Sequence, residues 1–270
     1  LCAAGNPAAS RKYKMQDLRL WGADLDESNS VVARFTSEVL IPAGHPNENN
    51  LQGWWKLDAG DGRVLEDSSK WKNEGYMGPS ALVVADGRRA ANGAIFLDGH
   101  TSMLQVDLRY QAAFQDAWRK YNMDPDNSKI QCGMSVRCSV LDHSHADMST
   151  PKDVQFAELS TNTGGATGRD RNAMTLGVDG GTKKYRVETF LASSTHHLLS
   201  VNVVEPGNMK MLELFMDTRP TVTPAQNFYL DGDLQATGAA AVGVSANFDA
   251  PTRIRIGGRA QWDASPGYDQ

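Results

Sequence analysis

A chain of 270 residues with a formal charge of -5 is long enough to bury one sizeable core. It has no Lys/Arg-rich block, so it lacks the concentrated positive field that nucleic acid or an anionic membrane needs. No apolar run approaches the roughly 18 residues that cross a bilayer, and three cysteines are too few for a disulfide framework.

The first fourteen residues, small and then basic, read as an extended arm. Their opening Leu1-Cys2 matches the scar of a lipoprotein processing site, where Cys2 would carry lipid. Residues 15–50 read as N-terminal strand material followed by a linker, Pro42–Asn50, whose apolar density is too low for a core element. From residue 51 to 270 short Val, Ile, Leu, Phe and Met runs alternate with Gly, Asn, Asp and Ser, the punctuation of an antiparallel fold. The strands expected in chain order are Val31–Phe35, Gly53–Leu57, Gly93–Leu97, Ser102–Asp107, Gly133–Val140, Val154–Leu159, Ala173–Val178, Lys184–Leu191, Leu198–Val204, Lys210–Asp217, Gln226–Leu230 and Thr252–Gly257. About a dozen strands suit an all-β, two-sheet antiparallel jelly-roll sandwich.

One segment departs from this pattern. Phe114, Trp118 and Tyr121 recur at helical spacing within residues 108–122, which predicts a short inserted helix laying its aromatic stripe on the sandwich. Cys132 and Cys138 fall on one predicted strand and one face, roughly 20 Å apart, too far to bridge. They are expected to be buried as small hydrophobes.

Several motifs carry a family resemblance. Leu51-Gln-Gly-Trp-Trp-Lys-Leu-Asp58 is followed by Asp67-Ser-Ser-Lys-Trp-Lys-Asn-Glu-Gly75 and then Gly93-Ala-Ile-Phe-Leu-Asp-Gly99. Later come Asn227-Phe-Tyr-Leu-Asp-Gly-Asp-Leu234 and Arg253-Ile-Arg-Ile-Gly-Gly-Arg259. This succession resembles the laminin-G-like (concanavalin-A-like lectin and glucanase) jelly rolls of bacterial secreted proteins, over residues 51–259. Trp54 and Trp55 would point to opposite faces of their strand. The strand that closes such domains is missing after the Gly-Gly motif, yet Met15-Gln-Asp-Leu-Arg-Leu-Trp-Gly-Ala-Asp-Leu-Asp26 looks like it, with Asp17, Arg19, Trp21 and Leu25 at the matching places. Three explanations stand open: a permuted domain completed by its own strand, a remnant of a preceding tandem domain, or a strand donated to another copy to build a filament.

The resemblance implies a structural calcium site using Asp67, Asn73 and, if its strand docks nearby, Asp17; hard oxygen ligands suit that ion. The competing reading has Asp67 making an Asx-turn and Asn73 in the left-handed region. Trp71, Tyr76 and Trp262 are the aromatics expected to stack on a glycan. Glucanases of this fold carry a Glu-x-Asp-x-x-Glu strand, which is absent; the strands of Glu158 and Glu188 each lack a second carboxylate, and no alginate-lyase-type strands occur. Asp142-His-Ser-His-Ala-Asp147 reads as a solvated loop rather than a zinc site, and His196-His197 as structural, because neighbours on a strand face opposite ways. The expectation is therefore a secreted or cell-surface, non-enzymatic recognition or adhesion module for glycan or protein. The alternatives are a filament subunit assembled by strand exchange and, disfavoured, a glycoside-active enzyme.

Overall fold

The computed structural model describes residues 13–22, 51–57, 64–77, 82–85, 93–97, 104–108, 111–122, 131–140, 154–160, 174–191, 194–217, 226–238 and 253–256. Among these residues sixteen strands and one helix are formed: β1 Tyr13–Gly22, β2 Leu51–Trp55, β3 Val64–Leu65, β4 Gly75–Met77, β5 Leu82–Ala85, β6 Gly93–Leu97, β7 Leu104–Asp107, α1 Ala112–Asn122, β8 Gln131–Val140, β9 Val154–Ser160, β10 Met174–Val178, β11 Lys184–Leu191, β12 Ser194–Val203, β13 Lys210–Asp217, β14 Gln226–Leu230, β15 Asp233–Gly238 and β16 Arg253–Ile256. They make two 8-stranded sheets. Sheet A runs β15-β14-β13-β8-β1-β6-β5 with β2 also on β1, and sheet B runs β12-β11-β10-β9-β16-β7-β4-β3. Every pairing is antiparallel, so the chain is a jelly-roll sandwich.

The core follows from strand alternation. Met134, Val136 and Cys138 of β8 and Leu212, Leu214 and Met216 of β13 point inward from sheet A. Leu176 and Val178 of β10 and Ile254 and Ile256 of β16 meet them from sheet B. Trp55 lies in this core at 0% exposure, while Trp54 faces the other way and packs with Trp21, Leu51, Met211 and Phe215. Both Cys132 and Cys138 are buried and unbonded on β8, and burial pushes both thiols up, so they stay protonated and inert. Helix α1 starts four residues later than the aromatic spacing predicts. Phe114 and Trp118 are fully buried, their rings 6.0 Å apart, and nothing is described of the Tyr121 side chain.

Strand β1 fills the middle of sheet A in its own chain. One edge pairs with β8 along nearly its whole length; the other pairs with β6 through Tyr13–Met15 and with β2 through Leu18–Trp21. The switch between the two partners happens at Asp17, which adopts a left-handed φ of 59° and donates its N–H to the Lys56 carbonyl at 2.9 Å. At the far edge, Asp231 (φ 53°) and Gly232 (φ 92°) make the two-residue turn joining β14 to β15, as the Asp-Gly pair requires. Strands β3, β4, β5 and β15 were not expected. The candidate strand Val31–Phe35, together with Leu25, Cys2, Trp262 and the Asp142–Asp147 histidine loop, lies outside the described residues.

Candidate functional site

The outer face of sheet B is built by register. His197 of β12 pairs with Glu188 of β11, Glu188 with Thr175 of β10, and Thr175 with Glu158 of β9. Glu158 then pairs with Arg255 of β16, Arg255 with Gln105 of β7, Gln105 with Tyr76 of β4, and Tyr76 with Val64 of β3. One continuous row thus crosses all eight strands on the side away from the core, spanning roughly 34 Å at the usual strand spacing. Its ends are open: Tyr76 is 63% and Val64 40% exposed, and His197 is exposed. Its middle is charged and buried, with Glu158, Glu188 and Arg255 all below a tenth exposed.

Those charges are matched. Arg255 Nη1 lies 3.8 Å from Glu158 Oε1, and Arg186, which shares the outer face of β11, binds Glu188 through Nη2. The same guanidinium reaches Asp179 at 3.6 Å. In the β10–β11 turn Asp179 also accepts the Thr182 backbone N–H (2.6 Å) and hydroxyl (2.7 Å), which hold its carboxyl below the usual range. Glu158 and Glu188 stand two strands apart, roughly 10 Å between Cα atoms, either side of Thr175. Sequence reading weighed each on its own strand and missed that the fold brings them into one row.

Of the aromatics expected to stack on a ligand, Tyr76 is on this row. Trp71 lies in the β3–β4 connection, half-buried, with Lys70 Nζ 4.7 Å from its ring centroid, so one face of the indole is already taken.

The expected calcium ligands have a different occupation. Asp67 Oδ1 accepts the backbone N–H groups of Trp54 and Ser69, and Oδ2 accepts the Ser69 hydroxyl and the Asn73 N–H, all at 2.8 Å. Asn73 donates its side-chain amide to the Gln52 carbonyl at 3.1 Å, and the left-handed residue of the turn is Lys72 (φ 54°), one position earlier than expected. Asp17 binds Arg19 Nε (3.1 Å) and Nη2 (3.2 Å) and accepts the Trp54 indole N–H at 2.6 Å. With two donors on each carboxylate oxygen, Asp67 has no lone pair left for a hard cation, whereas the Asn73 side-chain oxygen is buried without a hydrogen-bond partner among the described residues. Asp67 and the Asn73 amide tie β2 to the β3–β4 turn, and Asp17 ties β1 to β2. Among the described residues no group of three His, Cys, Asp or Glu side chains could hold a metal ion, and no helix is long and apolar enough to cross a membrane.

No protein-family model matches the chain, and no curated protein does. Among solved structures, an endo-1,3-beta-glucanase from Streptomyces sioyaensis is similar at 13% identity, over 75% of this chain and 74% of that one, with a TM-score of 0.36. The LG1-3 region of the laminin alpha2 chain is similar at 9% identity, over 93% of this chain and 57% of that one, with a TM-score of 0.31. The fold rests on the strand pairing described above rather than on these scores.

The outer face of sheet A carries a second row, which sequence reading also missed: Trp54 of β2, Arg19 of β1, Ser135 of β8, Glu213 of β13 and Tyr229 of β14. All five are buried. Arg19 sits 4.6 Å from the centroid of the Trp54 ring. Burial pushes the Glu213 carboxyl up to about 8; Arg19 opposes the rise and Asp231 adds to it.

Proposed function

We propose that the protein is a non-catalytic extracellular recognition module that binds an extended glycan along the outer face of sheet B. The observation that carries this reading is the eight-position row from Val64 to His197, with an exposed tyrosine near one end and planar polar side chains along it. Sugar rings present apolar faces and equatorial hydroxyls. Tyr76 offers an exposed ring to stack on, and the half-buried Gln105 and Thr175 and the exposed His197 offer donors and acceptors along the row, whose middle is fixed by the buried Arg255–Glu158 pair. The matched Arg–Glu pairs keep the middle of the row rigid and near neutral, which favours an uncharged polysaccharide over a polyanion.

The test is a glycan array followed by calorimetry on the best ligand. Tyr76→Ala is expected to weaken binding about fivefold while leaving thermal stability unchanged, because one stacking contact is worth about 1 kcal/mol and the ring is mostly in solvent. An array without a polysaccharide hit, or release of reducing sugar on incubation, contradicts the reading.

A further inference from the structure

Glu213 is the fourth of the five residues of the second row and is at 0% exposure, and neither of its carboxyl oxygens has a hydrogen-bond partner among the described residues. Its neighbour across to β8, Ser135, is equally buried, with a hydroxyl that also lacks a partner. Beyond Ser135 in the same row stands Arg19, whose guanidinium is held by Asp17 and stacked on Trp54. Arg19 and Glu213 are two strands apart, roughly 10 Å between Cα atoms, within the combined reach of their side chains.

On β13 itself, Lys210 is bound to Asp231 at 2.8 Å and Asp217 lies four residues along the strand. On β8, Arg137 lies opposite Met211, one row away; after β14, Asp231 accepts the Met211 N–H at 2.8 Å. On β1 the Asp17–Arg19 pair is internally neutral, and after β2 Lys56 lies 5.0 Å from the Trp54 ring. Arg19 is the cation that acts on Glu213, so any negative charge formed there competes with Asp17 for it.

We propose that Glu213 is a proton-controlled latch on strand β1. As a neutral acid it leaves Arg19 bridging Asp17 and Trp54, which pins the β1 bulge to β2. As a carboxylate it draws Arg19 across Ser135 and loosens the seam that pairs Leu18 with Trp55, Arg19 with Trp54 and Leu20 with Gly53. The sign is fixed by linkage. The latched form binds the Glu213 proton more tightly than a form in which the side chain is hydrated or paired with Arg19, so opening becomes easier as pH rises from the ordinary glutamate range toward about 8, and levels off above it.

Amide hydrogen exchange across pH 6–9, corrected for intrinsic rates, tests this. Protection at residues 18–21 and 53–55 is expected to fall by about tenfold per pH unit up to pH 8 and then to flatten, while β14 and β15 hold theirs. Glu213→Gln, which cannot ionise, is expected to make the profile flat. A fall of the same size in every strand, or one that survives Glu213→Gln, overturns the proposal. Should that variant not fold, the carboxyl carbon of Glu213 in the unaltered protein must titrate together with the loss of protection; titration in the ordinary glutamate range overturns it equally.

Discussion

Asp67→Ala is expected to destabilise the chain by about 4 kcal/mol, because it strands several buried donors at once and each uncompensated one costs about 1–3 kcal/mol. The carboxylate is 3% exposed and gathers N–H groups from positions 54, 69 and 73, together with the Ser69 hydroxyl. It thereby ties β2 to the turn before β4, at the point where Trp55 and Asp67 also form an isolated bridge. Asp67→Asn keeps the shape but turns an amide NH2 toward N–H donors, so it is expected to recover little. Urea unfolding with linear extrapolation measures both variants. A calcium titration of the unaltered protein separates the strut from a metal ligand. The midpoint is expected not to move with added Ca²⁺ or with a chelator, since a bound ion would raise it by mass action.

Trp55→Ala is expected to cost about 3–5 kcal/mol, the range for deleting a large aromatic from a core. The ring is completely buried and its indole N–H bonds the Asn73 carbonyl at 2.8 Å, so the truncation removes packing and orphans a buried acceptor. The ring lies over Gly53, two residues back on the same face of β2: a Cβ at Gly53 would stand 2.2 Å from Trp55 Cη2. Gly53→Ala alone is therefore expected to be strongly destabilising, whereas the same change in a Trp55→Ala background is expected to cost far less. The size of that non-additivity in a double-mutant cycle measures how tightly the indole fits on the strand.

Much of the sandwich is legible in the sequence because burial on strands writes itself as alternation. The strands containing Phe96, Val187, Leu214 and Phe228 could be read from their own residues, and the Trp54-Trp55 pair could be read as a strand with one indole inward and one outward, although the structure buries both. Short edge pieces such as β3, with two residues, carry too few positions for a period to register. The sites were less legible for a different reason. Glu158 and Glu188, or Arg19 and Glu213, become neighbours only through register between strands far apart in the chain, and parity along one strand says nothing about which residue of another lies beside it. Alternation along β13 places Glu213 on the outer side, where a charge is ordinarily solvated; its complete burial has no signature in Lys210-Met-Leu-Glu-Leu-Phe-Met-Asp217. The acidic turn illustrates the reverse. Its Asp67-Ser-Ser pattern was readable as local hydrogen bonding, and the structure satisfies the carboxylate entirely from the chain.

The most direct test of the account is to map, residue by residue, where a bound oligosaccharide perturbs the amide resonances of the isotopically labelled protein. The recognition reading predicts shifts along a single line on sheet B, at Tyr76, Gln105, Arg255, Thr175 and His197, with sheet A unmoved. Shifts confined to the strands around Glu213, or a ligand consumed during the titration, would contradict it.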